Sequence, residues 1–399
     1  MKVFVINSGS SSLKYQLFDM EDDLSSHKVM IKGLIDCIGM DRCEYHYEYN
    51  KNKVKDAAEI STHNEAVKTA LKSLKKNNIC EPLKDIDVIG HRVVHGGDYY
   101  KSPALIDGSA ISYLKIFSEL APLHNPANLQ GIMACKKYLP DTKQVAVFDT
   151  SFHQTMPEKA FTYAIPESYT QKDKVRKYGF HGTSHKYLVS EATKLMNNKK
   201  NLKIITCHLG NGSSVAASLN GECQDTSMGF TPLDGLPMGT RSGSIDPGAL
   251  LFLMKKYKIS SQEMDKILNK QSGFLGITGM TSDMRDIYNL SRKKNKKAIL
   301  ALEMVEYSLV KIISSYIGIL NGVDAIVFSG GMGEKAHYIR KSVCDNLSYA
   351  GVKIDGRKNT SSSTVISSPS SKAKVFVIPT NEELQIAREV VEKIKPMIR

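Results

Sequence analysis

The chain has 399 residues, 41% of them hydrophobic and 24% charged, which is the composition of an ordinary globular protein with roughly two or three domains. Its formal net charge of +13 favours acidic ligands, but the lysines are dispersed and no basic stripe with interleaved aromatic residues occurs, which argues against nucleic-acid binding. The seven cysteines lie far apart without a Cys-x-x-Cys pair, which argues against a disulfide framework and a zinc site and indicates a reducing cytoplasm.

The N-terminal segment predicts a buried strand that leads into a polar turn. Residues 3–6 are apolar, too few for the core of a signal peptide, and they precede the Ser- and Gly-rich stretch 7–12 and an alternating segment, 13–18. Strand, turn and strand together predict a hairpin whose tip exposes backbone N–H groups and hydroxyls, which can bind an anion. An ordinary hairpin is the alternative, because Gly and Ser are common turn formers.

Two later segments each place an arginine beside glycines. The first is His91 to Gly97, with Arg92, and the second is Met238 to Gly243, with Arg241. A planar guanidinium matches the oxygen pair of a carboxylate or phosphoryl group, so the two arginines predict a small anion bound by both. For each arginine a solvated surface position is the alternative.

The strand 144–148 is followed by Asp149, which therefore lies at the carboxyl edge of a sheet, where sites in α/β proteins collect. Residues 203–219 then repeat the strand, Gly/Ser turn and strand of the N-terminus, an internal echo that predicts a second hairpin of the same pattern. The hydrophobic stretch 309–328 is interrupted by charged residues and predicts a buried helix and a strand rather than a membrane span. That strand enters the Gly-rich stretch 329–335, a strand-to-helix turn suited to phosphate or nucleotide, although it matches neither a Walker loop nor a dinucleotide fingerprint.

Several of these segments, taken in chain order from residue 3 to about 390, resemble the acetate kinases of the acetokinase family. The segments that carry the resemblance are Asn7 to Lys14, His91 to Gly97, Leu123 to Pro126, Phe148 to His153, Tyr178 to His185, His208 to Ser214, Met238 to Gly243 and Pro379 to Glu383.

The resemblance implies an α/β protein with two domains of a duplicated actin-like ATPase fold. Each domain would be a mixed β-sheet flanked by helices, with the active site in the interdomain cleft. The expected division is an N-terminal domain of residues 1–150 plus 383–399 and a C-terminal nucleotide-binding domain of residues 151–382. The Ser/Thr-rich stretch 360–371 would be a loop with a short strand, and the chain would form a homodimer in the cytoplasm, with no membrane or nucleic-acid partner.

The implied activity is reversible, Mg²⁺-dependent phosphoryl transfer between ATP and acetate, giving ADP and acetyl phosphate. Direct in-line transfer is expected, because a carboxylate nucleophile is already ionised at neutral pH and needs no strong base. A phosphohistidine intermediate is the alternative route. Three other functions stay open: a pyrophosphate-using acetate kinase, a propionate or butyrate kinase, and a catalytically silent actin-like nucleotide-binding module.

The resemblance also implies roles for individual residues. The catalytic residues would be Arg92, Asp149, His181 and Arg241. Acetate would contact Arg92, Val94, Leu123, His124, Phe180 and Pro232. The nucleotide would contact Lys14, His208, Leu209, Gly210, Asn211, Gly212, Asp283, Met284, Arg285, Gly331, Met332, Gly333, Glu334 and Lys335. Mg²⁺, with Mn²⁺ as an alternative, would bind Asn7 and Glu382, both of which offer the oxygen ligands that a hard cation prefers. His153 and His185 are interpreted as structural.

The chain departs from the usual family pattern at a few positions. The turn that more usually reads Ala-Gly-Ile-Gly-Glu-Asn is Gly-Gly-Met-Gly-Glu-Lys at 330–335, Ser244 stands where an aspartate is usual, and Pro237 replaces a common methionine. The arginines and histidines of the motifs are intact. The departures therefore put only the phosphoryl donor in doubt, with pyrophosphate as the alternative to ATP.

Overall fold

The computed structural model describes residues 1–21, 24, 26–80, 83–122 and 124–397. The chain divides into two compact units, Met1–Phe152 with Asn381–Arg399, and His153–Thr380. Each unit contains a β-sheet with both parallel and antiparallel neighbours, flanked by helices, which confirms the expected α/β class with two mixed sheets. In the described residues no helix is both long and apolar enough to cross a membrane.

Within the described residues, thirteen strands form the two sheets. They are β1 (Lys2–Ser8), β2 (Leu13–Met20), β3 (His27–Ile35), β4 (Met40–Tyr49), β5 (Asn52–Ile60), β6 (Val88–Val93), β7 (Ala104–Leu105), β8 (Lys143–Phe148), β9 (Lys203–Leu209), β10 (Ser213–Leu219), β11 (Glu222–Thr226), β12 (Ala325–Ser329) and β13 (Lys374–Val377).

The helices differ widely in length. They are α1 (His63–Lys76), α2 (Gly108–Ile116), α3 (Asn125–Tyr138), α4 (Glu158–Phe161), α5 (Glu167–Lys172), α6 (Gly182–Leu195), α7 (Pro247–Tyr257), α8 (Ser261–Lys266), α9 (Gly273–Thr278), α10 (Met284–Arg292), α11 (Lys296–Leu320), α12 (Gly330–Lys335), α13 (His337–Asn346), α14 (Gly356–Thr360) and α15 (Glu382–Ile394).

The two sheets share one five-strand arrangement. In the first unit the order is β5-β4-β3-β2-β1-β6-β8-β7, and in the second it is β11-β10-β9-β12-β13. In both sheets, three strands form an antiparallel meander, and two further strands run parallel to the first strand of that meander. In the first unit β6 pairs with β1 and β8 pairs with β6. In the second unit β12 pairs with β9 and β13 pairs with β12. The internal echo in the sequence therefore reflects a repeated sheet.

Helices cover both faces of the first sheet, which is why β1 is almost entirely buried. On one face, Gly131 of α3 packs so closely on Ser8 and Ile6 that no larger residue would fit. On the other face, Gly90 of β6 lies so close to Val390 and Ile386 of α15 that a larger residue would not fit there either. Because these helices must approach the strands closely, they fix the carboxyl ends of β1 and β6.

Two expectations from the sequence need correction. The stretch 360–371 contains no strand, only single bridge residues, Val365 to Phe376 and Ser367 to Ile354, because its chain folds back without a continuous ladder. In addition, Cys37 and Cys43 form a disulfide with a Cα–Cα distance of 5.2 Å, while the other five cysteines are buried and belong to no disulfide in the described structure. The turn between β3 and β4 brings these two residues together, which their spacing in the sequence did not reveal.

A completely buried arginine, Arg340 of α13, fixes the Gly-rich turn after β12. Its Nη1 donates to the carbonyl oxygens of Gly333 at 2.7 Å and Glu334 at 2.8 Å, both in the last turn of α12. Its Nε and Nη2 donate to the side chain and carbonyl of Asn359 at 2.8 and 2.6 Å, and Nη2 also donates to the hydroxyl of Ser362 at 3.1 Å. One side chain therefore ties α12 to α14.

We expect Arg340→Leu to lower the free energy of unfolding by about 3 to 5 kcal/mol, because three buried carbonyl oxygens and an amide lose their donor. Urea denaturation followed by circular dichroism measures the change. The matched control is Lys341→Ala, which removes only an exposed ion pair with Asp345 and should cost less than about 1 kcal/mol. Equal effects of the two substitutions would contradict this account of the turn.

Candidate active site

In the first unit, four of the residues singled out in the sequence meet where β1, β6 and β8 end. Arg92 of β6 binds Asp149 through Nε at 3.0 Å and Nη2 at 2.6 Å, and its Nη1 lies 3.4 Å from Oδ1 of Asn7. A carboxylate oxygen of Glu382, the first residue of α15, lies 3.8 Å from Nε. Burial opposes the charged guanidinium, but Asp149 and Glu382 outweigh it and raise the pKa of Arg92.

Two asparagines at the start of α3 hold the backbone around this cluster. Asn128 accepts from the N–H of Val94 at 3.0 Å and donates to the carbonyl of Ser8 at 2.7 Å, so it joins the ends of β6 and β1. Asn125 accepts from the N–H of His95 at 3.1 Å and donates to the carbonyl of the same residue at 3.0 Å. The role of Asn128 could not be recognised in the sequence, because its partners lie far away in the chain.

The other predicted residues of the first unit occupy different surroundings. Val94 is buried directly after β6, and His124 precedes α3. Leu123, expected in the acetate pocket, lies outside the described residues. Lys14, expected at the nucleotide, is exposed on β2, where it pairs with Asn7 of β1, and it lines a cavity of about 430 Å³ together with Glu383.

The second unit places His181 and Arg241 beside the turn between β9 and β10. The turn is closed by the N–H of Gly210, which donates to the carbonyl of Gly212 at 3.0 Å. An added Cβ at Gly212 would lie 3.3 Å from Nε2 of His181 and 3.4 Å from Nη1 of Arg241, so the two side chains converge on this glycine. His181 has a left-handed backbone, with φ of 56°, and its ring lies 4.4 Å from that of His208.

The segment that carries Arg241 is held by the start of α9. The N–H groups of Phe274 and Leu275 donate to the carbonyls of Met238 at 2.9 Å and Gly239 at 3.0 Å. The guanidinium itself donates to the carbonyl of Pro232 at 3.3 Å, and in the described part of the chain no carboxylate forms an ion pair with it. Burial lowers the pKa of Arg241. Its positive charge is therefore available to an anion.

Many of the residues expected at the nucleotide line one cleft of about 710 Å³ in the second unit. These are Gly210, Asn211, Asp283, Met284, Arg285, Gly331, Met332 and Lys335. The remaining five lie next to the cleft residues in the chain without lining the cleft. They are His208 and Leu209 of β9, Gly212 in the turn after it, and Gly333 and Glu334 of α12. Asp283 caps α10 and binds the side chain of Arg285 at 2.6 Å, and these hydrogen bonds lower its pKa to about 2.

An aromatic pair in the same cleft was not recognised in the sequence. Tyr288 of α10 and Tyr338 of α13 stack with their ring centroids 3.7 Å apart and their planes 7° apart. Neither residue belongs to a motif. The pair exists because α10 and α13 present one face each to the same cleft, which is a property of tertiary structure and leaves no local signal.

The metal-binding prediction is compatible with the chemistry of the residues but is not tested by it. Within the described residues no group of three or more His, Cys, Asp or Glu side chains could hold a metal ion. Asn7 and Glu382 offer one amide and one carboxylate oxygen, and both lie beside Arg92. Such a sparse oxygen set suits a cation that keeps water and substrate oxygens among its ligands.

Comparison with known proteins now identifies the family. The model of the acetokinase family matches residues 2–388. The chain belongs to the acetokinase family. It is 50% identical to acetate kinase from Thermotoga maritima, over 99% of this chain and 100% of that protein. Among solved structures, acetate kinase from Porphyromonas gingivalis is 39% identical with a TM-score of 0.91 and full coverage of both chains. A propionate kinase from Francisella tularensis is 42% identical with a TM-score of 0.91, over 97% of this chain and 98% of that one.

Proposed function

We propose that this chain catalyses reversible phosphoryl transfer between ATP and acetate, giving ADP and acetyl phosphate. The γ-phosphorus forms a bond to a carboxylate oxygen of acetate as its bond to the β,γ-bridging oxygen of ATP breaks. Relatives named acetate kinase, about half identical over the full length, support this function. The structural observation that supports it best is Arg241, a guanidinium without a carboxylate partner among the described residues, beside His181 and an anion-binding turn.

The reaction needs alignment and charge neutralisation more than proton transfer. Acetate is ionised at neutral pH, so no base has to activate it, and a direct in-line transfer suffices. We assign the acetate carboxylate to Arg92. Asp149 binds the Nε and Nη2 edge of that guanidinium, which orients it and leaves no reason to use Asp149 as a base.

Arg241 and His181 are assigned to the transferred phosphoryl group. A charged donor that is already held in place stabilises the developing charge without reorganisation. The carbonyls of Met238 and Gly239, just before Arg241, are bound by α9, and His181 precedes the first residue of α6, so the backbone that carries each side chain is held in place.

Members of this family typically use a divalent metal. We propose that Asn7 and Glu382 hold Mg²⁺, with Mn²⁺ as an alternative, through their side-chain oxygens. The ion, when bound, would neutralise phosphate charge.

We propose ATP, rather than pyrophosphate, as the donor, and the shape of the cleft supports this choice. Beyond the turns at Gly210 and Gly331, the cleft continues to the stacked pair Tyr288 and Tyr338. Pyrophosphate has no group that would use this apolar surface, whereas a nucleoside does. The proposed substrates also place the reaction in the cytoplasm, where ATP is available.

For the acid, we propose that Val94, His124, Phe180 and Pro232 contribute to the acetate site, together with Leu123. Val94 and Phe180 are buried and bulky, which favours a small acyl group. The similarity to a propionate kinase makes the choice of acid a point to be measured.

The assay that tests this function traps acyl phosphate as a hydroxamate. The full chain with Mg²⁺ and ATP should convert acetate, with propionate about ten- to two-hundredfold lower in kcat/KM, since one methylene is worth only about 1 to 3 kcal/mol in an apolar pocket. Preference for propionate or butyrate would show a longer-acyl kinase, and turnover with pyrophosphate alone would replace ATP as the donor. If neither donor gives acyl phosphate, the remaining function is that of a catalytically silent nucleotide-binding module.

Removing either assigned arginine should depress turnover strongly. We expect Arg241→Ala to lower kcat by about a hundredfold or more, since a preorganised charged donor is worth about 3 kcal/mol in a desolvated site. Arg92→Ala should do the same, but it strands the buried Asp149, so its thermal midpoint must be compared with that of the unsubstituted chain. Arg357→Ala, at an exposed arginine of α14, is the control. Near-normal turnover in Arg241→Ala would remove that residue from the reaction.

Substitution of either tyrosine in the cleft should change the KM for the nucleotide and not the KM for the acyl phosphate. In the direction that consumes acetyl phosphate, Tyr338→Ala and Tyr288→Ala should each raise KM for ADP about tenfold, because stacking of a base on an aromatic ring is worth about 1 to 3 kcal/mol. KM for acetyl phosphate should stay unchanged. Tyr349→Ala, at an exposed tyrosine, is the control. An unchanged KM for ADP in both variants would exclude the pair as the base-binding surface.

We also propose that α7 joins two copies of the chain. None of its residues is buried, and Leu251, Phe252 and Tyr257 are each at least 60% exposed, which is unusual for an apolar helix in a monomer. Light scattering should show a dimer for the unsubstituted chain and a monomer for a Leu251→Asp, Phe252→Asp variant, whereas Tyr349→Asp should stay dimeric. A monomeric unsubstituted chain, or a dimer unaffected by the double change, would contradict this interface.

A further inference from the structure

Behind His181, three further side chains continue a line of hydrogen bonds into the interior of the second unit. Nδ1 of His181 lies 2.9 Å from the hydroxyl of Ser214, and the same hydroxyl lies 2.8 Å from Nε2 of His185. Nδ1 of His185 in turn lies 2.7 Å from the hydroxyl of Thr206. Ser214, His185 and Thr206 are all buried. The four residues come from β9, β10 and both ends of the first turn of α6, so the line depends on the fold.

The direction of these bonds follows from counting protons. His185 is neutral, because burial lowers its pKa well below the usual value, and it therefore has one N–H. The hydroxyl of Thr206 has no other hydrogen-bond acceptor in the described structure, so a buried proton would be left unsatisfied unless it is donated to Nδ1 of His185. His185 must then carry its proton on Nε2 and donate it to Ser214.

The same count of protons applies to His181, at the other end of the line. Ser214 already accepts from His185, so its own proton is directed to the remaining neighbour, Nδ1 of His181. A nitrogen that accepts a hydrogen bond carries no proton in neutral imidazole, so the proton of His181 is on Nε2. Nε2 is the nitrogen that faces Gly212, the glycine on which Arg241 also converges.

We propose that Thr206, His185 and Ser214 are positioning residues that hold the proton of neutral His181 on Nε2, from where it is donated to the transferred phosphoryl group. In the other tautomer Nε2 would present a lone pair to an anionic oxygen, which is repulsive. His185, interpreted as merely structural from the sequence, thereby acts on the reaction through Ser214. The use of the proton rests on the proposed function, whereas the tautomer does not.

Nuclear magnetic resonance of the full chain with ¹⁵N-labelled histidine tests the tautomer directly. Long-range N–H correlation distinguishes a protonated ring nitrogen from an unprotonated one, and the signals of His181 are identified by their loss in His181→Gln. We expect Nε2 protonated and Nδ1 unprotonated in the unsubstituted chain. A proton on Nδ1 would overturn the proposal, with no variant needed.

Substitutions test whether the line holds that tautomer. Ser214→Ala should populate both tautomers of His181 and lower kcat about ten- to a hundredfold, the usual effect of losing an orienting partner of a histidine, with KM for ATP unchanged. The matched control is Ser218→Ala on the same strand, equally buried, whose hydroxyl donates only to the carbonyl of Ile204. An unchanged tautomer and kcat in Ser214→Ala would overturn the proposal.

At the buried end of the line, two substitutions of Thr206 differ in whether they keep its hydroxyl. Thr206→Val keeps the shape but removes the hydroxyl, and it should shift the spectrum and kcat in the same direction as Ser214→Ala. Thr206→Ser keeps the hydroxyl and should restore both. The spectra test the hydrogen-bond line, and the acyl phosphate assay tests the proposed function. If the spectra change as expected while the unsubstituted chain makes no acyl phosphate, the hydrogen-bond line stands and the proposed function fails. A failure of one is therefore distinguishable from a failure of the other.

Discussion

The candidate site depends on positive charge that the protein itself does not fully neutralise. Arg241 is partly buried, has no carboxylate ion pair within the described residues and binds only the carbonyl of Pro232 and the sulfur of Met238. A desolvated cation is costly unless an anion joins it. The N–H groups at the start of α9 hold the backbone carbonyls of Met238 and Gly239, which fixes the segment that carries this guanidinium.

The repeated sheet explains where the chemical groups lie. In each unit the first hairpin ends in a turn closed by a glycine N–H, Gly9 to Ser12 at 2.8 Å and Gly210 to Gly212 at 3.0 Å. The adjacent parallel strand then carries different chemistry in the two units, Arg92 on β6 and the Gly-rich turn after β12. One architecture therefore carries the arginine that we propose for the acid in one copy and the cleft that we propose for the nucleotide in the other.

The sequence was sufficient for residues that lie in motifs. The hairpins, the strand before Asp149, the second half of α11 and the strand β12 were recognisable, since glycine spacing and apolar runs are local signals. The Gly-rich segment 330–335 is the short helix α12 and not the predicted turn. The repeated hairpin was recognisable too, because both copies keep the same pattern, whereas the duplicated fold was implied by the family resemblance.

Contacts between distant segments could not be predicted in the same way. The partners of Arg340 lie on both sides of it in the chain, and the tyrosines of α10 and α13 meet only after folding. The line from Thr206 to His181 joins two strands and a helix, so Ser214 looked like an ordinary turn residue. The Cys37–Cys43 disulfide was missed for a different reason: its two residues are only six apart, but the β3–β4 turn sets the distance between them.

The central claim is that the protein aligns two bound substrates and neutralises their charge without forming a covalent bond to the phosphoryl group. The stereochemistry of transfer tests this most directly, using ATP whose γ-phosphoryl group is chiral by isotopic labelling and analysing the acetyl phosphate formed. A single in-line displacement inverts the configuration at phosphorus, and inversion is the result expected. Retention would require two displacements, such as through a phosphohistidine, and would contradict the account.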